Sequence, residues 1–111
     1  MGLFFESMKL RRQLGDQLGV AECLRGVAAV ALSTGRANDS VILLAAASGQ
    51  HKAAGAEPLP EESLAANAVL TAARALLTAE QFGRAWETGA NLDTDAAVEQ
   101  AYLLGPVPSP G

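Results

Sequence analysis

The sequence predicts an all-α fold, in which about six helices form antiparallel hairpins stacked as a fragment of an α-solenoid. Three evenly spaced glycines, Gly15, Gly35 and Gly55, each close a stretch in which apolar residues recur at helical rather than strand spacing. This rhythm is typical of repeated helix–turn–helix units. The composition agrees, because 50% of the residues are hydrophobic and only 5% are aromatic, which favours close packing of helices across Ala, Leu and Val.

Length and charge limit the classes of function. A chain of 111 residues suits one domain with one core, which we expect at residues 1–105, followed by a proline-rich flexible tail at 106–111. The net charge of −4 and the pI near 4.8 argue against direct nucleic-acid binding, which needs clustered Lys and Arg. No stretch approaches the roughly 20 apolar residues of a membrane span. With a single cysteine and no secretory signal pattern, we expect a cytoplasmic protein without membrane contact.

Three predicted helices precede the first proline. They span about 3–14, 18–34 and from 36 or 38 to 54, and each ends at one of the three spaced glycines, where glycine readily adopts the left-handed conformation. In the third of these helices, the interior Gly49 predicts a close approach by a neighbouring helix. The apolar or small residues expected to face inward are Leu3, Met8, Leu10, Leu14, Val20, Leu24, Val27, Ala28, Ala31, Val41, Leu44, Ala45 and Ser48.

Three further helices are predicted after the turn at 56–60. Pro60 is predicted to begin the fourth helix. A proline has no backbone N–H, and at the first helical position this group would have no partner within the helix. Thr78 and Gln81 have the spacing of a capping box and begin the fifth helix, which we expect to end at Gly89. Asp93 can cap the sixth helix. The predicted inward residues are Leu64, Ala68, Ala72 and Leu76 on the fourth helix, Phe82, Ala85 and Trp86 on the fifth, and Ala97, Val98, Ala101 and Tyr102 on the sixth.

Candidate chemical groups are few. His51 is the single histidine, and no Cys, Asp or other His lies three or four residues away, so we expect a surface or turn-packing histidine rather than a zinc ligand. Cys23 falls beside the apolar stripe of its helix, where a thiol usually acts as a small hydrophobe. Phe82 and Trp86 are a helix-spaced aromatic pair, for which core packing is a better explanation than ligand stacking.

Reaction centres are not visible in the sequence. The carboxylate pairs Glu61/Glu62 and Asp93/Asp95 lie at predicted helix starts, where stabilisation by the helix dipole accounts for them. The sequence has no phosphate-binding loop, no dinucleotide-binding glycine motif and no serine-nucleophile elbow. We therefore expect no enzymatic activity, no catalytic residues, no cofactor and no bound metal.

Three parts of the chain resemble a known family. Residues 6–28 resemble the tetratricopeptide-like (TPR-like) repeats in the C-terminal region of large bacterial LuxR-type and AfsR-type transcriptional regulators. Gly35-Arg36, the Leu-Leu-Ala-Ala-Ala run at 43–47 and the turn at 55–60 are similar to the last repeat of those proteins. Residues 72–77, 82–89 and 93–102 are similar to their closing helices.

The resemblance implies a regulatory role through protein–protein or ligand contacts, as part or relative of a transcriptional regulator. The nucleotide-binding and DNA-binding regions of the family have no counterpart in this chain, so neither ATP hydrolysis nor DNA binding is carried over. We expect a non-catalytic helical-repeat module that binds a protein partner or itself, with Leu3, Phe4, Phe5 and Met8 on the first predicted helix as the candidate surface of a homodimer. The alternative is a small-molecule sensor with a groove between the second and third predicted helices, near Gly26, Gly49 and His51.

Overall fold

The computed structural model describes residues 17–55 and 60–104, and these residues form five α-helices and no strand. The helices are α1 (Gln17–Ser33), α2 (Ala37–Ala54), α3 (Pro60–Leu76), α4 (Ala79–Ala90) and α5 (Thr94–Leu104). The all-helical prediction is confirmed for these residues. The first predicted helix, residues 3–14, and the tail at 106–111 lie outside the described residues.

A tight turn joins α1 and α2 into a hairpin. Gly35 adopts a left-handed φ of +83°, as predicted for the residue that ends the helix. The amide of Arg36 donates to the carbonyl of Ala31 at 2.8 Å, which returns the chain toward α1. The buried Ser40 hydroxyl then donates to the Ala28 carbonyl at 2.8 Å, so a side chain of α2 is bonded to the backbone of α1.

The central helix of the fold is α2, which packs against each of the other four helices. Most of its length is buried, as expected for a helix that is apolar on nearly all sides. It ends at Gly55, whose φ of +67° confirms the predicted left-handed C-cap. The inward residues predicted for α1 and α2 are confirmed except Ser48, which is half-buried; the fully or almost fully buried ones are Val20, Leu24, Val27, Ala28, Ala31, Val41, Leu44 and Ala45.

Gly49 does not mark the close approach predicted for it. A Cβ placed on Gly49 would meet no atom within 4 Å, so a neighbouring helix does not require a glycine there. The close approach occurs at Gly89 of α4 instead, where a Cβ would collide with the Ile42 carbonyl and lie 2.7 Å from the Ala45 Cβ. Gly89 is therefore a packing residue inside α4 and does not end it, since the helix continues to Ala90.

The predicted start of α4 is confirmed in detail. Thr78 Oγ1 accepts a hydrogen bond from the Gln81 amide at 3.1 Å, and Gln81 Oε1 accepts one from the Thr78 amide at 2.9 Å. This reciprocal pair is a capping box, which satisfies two amides that have no partner within the helix. Local sequence alone accounts for this boundary.

The buried stripe predicted for α3 is wrong. Leu64 and Leu76 are 72% and 64% exposed, and Ala68 and Ala72 are exposed as well. The helix faces the core with a different set of residues, of which Ala73 is fully buried and the others are partly buried: Ala66, Val69 and Leu70. Both stripes are apolar and both have helical spacing, so the pattern of α3 does not determine which one faces inward.

The last helix, α5, closes one side of the α1–α2 hairpin. Asp93 Oδ1 accepts from the Ala96 amide at 2.7 Å, which confirms the predicted cap. Ala97, Val98 and Ala101 are almost completely buried in the main core cluster, together with Val20, Leu24 and Val27 of α1. The position of the Tyr102 side chain is outside the described part of the chain.

The helices after α2 do not repeat its hairpin with α1. α3 and α4 are joined by a two-residue link, Leu77 and Thr78, yet they do not pack along each other; each lies against α2. Their side chains meet mainly in a second core cluster, in which Ala73 and Ala85 are buried and Leu77, Phe82 and Trp86 are partly buried. The stacked antiparallel hairpins that the sequence predicts are therefore not confirmed for these two helices, which both pack against α2.

Candidate functional site

A buried histidine on α2 is bonded to an arginine on α1. His51 is only 7% exposed, so of the two predicted positions, at the surface or packed near a turn, the surface position is excluded. Its Nε2 lies 2.7 Å from Nη1 of Arg25. A guanidinium can only donate, so at this distance Nε2 of His51 is positioned to accept a hydrogen bond from Arg25. The bond connects residues 26 positions apart in sequence and fixes a charged side chain beside the inner surface of α2.

Beside this pair lies a partly open cavity of about 200 Å³, bounded by α1, α2, α3 and α4. Its walls are largely apolar. The apolar lining residues that the structure describes are Leu44, Ala47, Ala66, Leu70 and Trp86, and the polar ones are Arg25, Ser48, His51, Ser63 and Asn67. Arg25 supplies the formal charge among these residues, and no carboxylate is included in this described lining.

The groove predicted between the second and third predicted helices stays a prediction, and the cavity shares only one of its three named residues. His51 lines the cavity, but Gly26 and Gly49 are not among the described residues of its wall. Gly26 and Gly49 are both half-buried, and the space near Gly49 is open rather than enclosed. The cavity forms because α3 and α4 come to lie over α2, which the spacing of small residues on two helices does not indicate.

A second feature is the exposed side of α3. We define the outer face of α3 as Leu64, Ala65, Ala68, Ala72, Ala75 and Leu76, all of which are exposed. The two leucines are the most exposed large hydrophobic residues that the structure describes. Between Ser63 and Leu70 the helix has no charged residue, and Arg74 is the only charged residue from Ser63 to Leu76. This face is apolar and accessible to a partner.

The aromatic pair lies at the edge of the core rather than within it. The rings of Phe82 and Trp86 are stacked, with centroids 6.4 Å apart and an interplanar angle of 11°. The guanidinium carbon of Arg74 lies 4.4 Å from the centre of the Phe82 ring, a cation–π contact that connects α3 to α4. Trp86 is half-buried and forms part of the cavity wall, so it packs against the core and also borders a space that a ligand could enter.

The single cysteine lies in the core, and the two carboxylate pairs that the sequence shows lie at the starts of helices. Cys23 is 4% exposed inside the main core cluster, which confirms its prediction as a small hydrophobe. Glu61 and Glu62 lie in the first turn of α3, and Asp93 and Asp95 lie at the start of α5. Within residues 17–55 and 60–104, no group of three or more His, Cys, Asp or Glu side chains is arranged to hold a metal ion.

The candidate homodimer surface, Leu3, Phe4, Phe5 and Met8, lies outside the described residues and stays a prediction. The sequence did not predict the pairing of Arg25 with His51. The two residues are 26 positions apart, so no local pattern indicates their contact. The outer face of α3 was also not predicted. A signal for this face was present, because α3 has more apolar residues than one buried side can hold.

None of the helices that the structure describes has both the length and the apolar character needed to cross a membrane. No protein-family model, curated protein or solved structure matches this chain. The resemblance to LuxR-type and AfsR-type regulators therefore stays a prediction that rests on the quoted stretches of sequence.

Proposed function

We propose that this chain is a non-catalytic helical interaction module, and that the outer face of α3 is a surface through which it associates with a second copy of itself. The supporting observation is the exposure of Leu64 and Leu76, at 72% and 64%, on a helix whose other side already packs against the core. Together with the exposed alanines between them, the two leucines form an apolar strip along one side of α3, and contiguous exposed apolar patches mark interaction sites.

A second copy suits this face because its residues are arranged symmetrically about position 70. Leu64 and Leu76 are equally distant from this position, as are Ala65 and Ala75, and Ala68 and Ala72. In an antiparallel pair of α3 helices related by a two-fold axis, each Leu64 lies at the same level as the partner's Leu76, and the alanines lie between these levels. Alanines at the centre allow the two backbones to approach closely, and the leucines cover the ends.

The size of the face sets the expected strength of the dimer. Leu64 and Leu76 are separated by about 18 Å along the helix, at 1.5 Å per residue. One helix face of this length buries less than the roughly 800 Å² per partner of a stable complex, so we expect weak association. A dissociation constant on the order of 10–100 μM is appropriate for such a contact.

Within this proposal, the chain is part or relative of a TPR-like helical-repeat regulator in the bacterial cytoplasm. The sequence resemblance supports this role, and the α1–α2 hairpin is the type of unit that such repeats use. Contact with protein partners, rather than with nucleic acid, agrees with the net charge of −4. We propose no catalysis because none of the phosphate-binding, dinucleotide-binding or serine-nucleophile motifs occurs in the sequence.

The proposal is tested by the double substitution L64E/L76E. Sedimentation velocity at protein concentrations up to about 200 μM should show a concentration-dependent dimer for the wild type and a monomer for the variant, because two carboxylates on each face repel the partner. Both leucines are exposed, so the fold should persist, and far-UV circular dichroism checks this. The matched control is A29E/A53E, which adds the same charge at exposed positions on α1 and α2 and should leave the dimer intact.

A second pair of variants separates the outer face of α3 from the candidate N-terminal surface. If L3E/F5E abolishes the dimer and L64E/L76E does not, the N-terminal surface is the interface and the proposal for α3 is wrong. A wild-type chain that stays monomeric across the concentration range would contradict self-association through either surface.

A further inference from the structure

We infer that the cavity bounded by α1, α2, α3 and α4 binds a compact ligand without net charge, made of one aromatic ring or a branched alkyl group with at most one hydroxyl. The cavity lies on the inner side of α3, where Ala66 and Leu70 form part of its wall, so it is separate from the outer face proposed for self-association. Such a ligand is one chemical class of effector for the sensing alternative that the sequence raised.

The volume of the cavity determines the size of the ligand. A dry engineered cavity of about 150 Å³ is large enough for benzene. The cavity here has about 200 Å³ and opens partly to solvent, so it has room for one ring with a short substituent. It is too small for a nucleotide or a peptide, since pockets for drug-sized ligands begin at about 300 Å³.

The walls determine the chemistry of the ligand body. Leu44 and Leu70 provide aliphatic surface, and the half-buried Trp86 provides an aromatic side against which a ring can pack. Ala47 and Ala66 have short side chains, which leave space between these larger groups. Binding of an apolar body removes both its own surface and these walls from water, which is the favourable step.

The position of Arg25 argues for a ligand without charge. Arg25 is the one residue of the described lining that is formally charged, and its Nη1 already lies 2.7 Å from His51 Nε2. Both residues also make a further interaction within the fold. A charged ligand would have to compete with these interactions, and it would lose its own hydration beside largely apolar walls.

The other polar residues of the described lining are uncharged. Ser48 on α2 and Ser63 on α3 are half-buried, and Asn67 on α3 is exposed. Hydroxyl and amide groups can both donate and accept hydrogen bonds. A single hydroxyl on the ligand can therefore exchange a bond with water for a bond with one of these side chains, whereas a charge has no counterion among them.

The test uses Trp86, the single tryptophan of the chain, as a fluorescent reporter inside the cavity wall. Titrations with benzyl alcohol, benzoate and benzylamine compare a neutral molecule, an anion and a cation that share one ring. We expect a saturable change in Trp86 emission for benzyl alcohol, with a dissociation constant on the order of 1 mM, and at least about tenfold weaker binding of both charged compounds. Isothermal titration calorimetry should give the same order.

Three variants locate the binding. A66L should weaken benzyl alcohol binding at least about tenfold, since the added carbons occupy the cavity. A29L makes the same substitution at an exposed position of α1 and should bind like the wild type. L64E/L76E should also bind like the wild type, because neither leucine is in the described cavity lining. If circular dichroism shows that A66L does not fold, S63L replaces it on the same wall.

Defined results would overturn the inference. A difference of less than about tenfold between benzyl alcohol and either charged compound would show that the cavity does not select against charge. A smaller effect of the cavity-filling variant, or loss of binding in L64E/L76E, would place the ligand elsewhere on the chain. No saturable binding of benzyl alcohol up to about 20 mM would show that the cavity takes no such ligand. Each of these results is independent of whether the wild type forms a dimer.

Discussion

Gly89 lies where α4 comes very close to the central helix α2. Its missing side chain lets α4 approach the backbone of α2 at Ile42 and Ala45. Any larger residue must displace either α4 or the central helix, because the atoms in the way belong to the backbone and to a Cβ and cannot rotate aside. Gly83, on the same helix, has open space where its side chain would be.

We predict opposite effects for alanine at these two glycines of α4. G89A should lower the free energy of unfolding by about 2–3 kcal/mol, because overpacking forces the helices apart. G83A should raise it by about 0.5–1 kcal/mol, because alanine favours a helix and this position has room. Urea denaturation midpoints measure both changes. A G89A variant as stable as the wild type would show that α4 does not pack tightly against Ile42.

Asp39, in the first turn of α2, is predicted to make stability depend on pH. Partial burial raises the pKa of its carboxyl above the ordinary 3.8, against the opposing influence of Arg36. The folded chain therefore binds a proton at higher pH than the unfolded chain, so this group contributes stability below about 3.8 that is lost as the pH rises through the folded pKa. D39N removes the contribution.

The measurement for Asp39 compares wild-type and D39N unfolding at pH 6 and at pH 4. The wild type should gain stability relative to D39N at the lower pH, by less than about 1 kcal/mol since the residue is only half-buried. If the wild type instead lost stability relative to D39N between pH 6 and pH 4, folding would lower the pKa of Asp39 rather than raise it, and the prediction would be wrong.

At the scale of the helices, α1 and α2 are held together by more than apolar contact. The buried Ser40 hydroxyl donates a hydrogen bond to the Ala28 carbonyl of the neighbouring helix, so it is not left without a partner in the core. Ser33, by contrast, donates to the Val30 carbonyl of its own helix at an exposed position. The two serines make bonds of the same chemical kind in different surroundings.

We predict that S40A lowers the free energy of unfolding by about 1–2 kcal/mol, since a buried bond between helices is lost. S33A should change it by less than about 0.5 kcal/mol, because water replaces the exposed bond. Chemical denaturation of both variants gives the comparison. Equal effects would mean that the hairpin does not depend on the Ser40 contact.

The helices also differ in how far the sequence defines them. The start of α4 follows from Thr78 and Gln81, and the turn before α2 follows from Gly35, because these signals act over three or four residues. The rotation of α3 about its own axis has no such local cause. Its two apolar stripes are close to equivalent in sequence, so the prediction selected the one that is exposed.

For the whole molecule, the central position of α2 predicts an uneven distribution of local stability. α2 contacts every other described helix, whereas α3 packs with one side only. Amide hydrogen exchange should therefore be slowest in α2 and in the facing residues of α1, and faster by at least tenfold in α3. Equal protection in α2 and α3 would indicate one cooperative unit in which α3 is held as firmly as the centre.

The candidate site shows the same division between local and tertiary information. His51 could be identified from the sequence as the single histidine, but its burial depends on α1, which provides Arg25 from 26 residues away. The cavity needs four helices, and Trp86 joins its wall only because α4 packs against α2 through Gly89. Neither Gly26 nor Gly49 could reveal this arrangement.

The sequence by itself determined that the described chain is helical and where most of its helices begin and end, because caps, prolines, left-handed glycines and apolar periodicity act within one or two turns. The tertiary structure alone decided which side of α3 is exposed, which glycine lies at a helix contact, and that His51 is buried against Arg25. These properties depend on the surfaces of other helices. A helix can present any of its apolar sides to the core until a neighbour fixes its rotation.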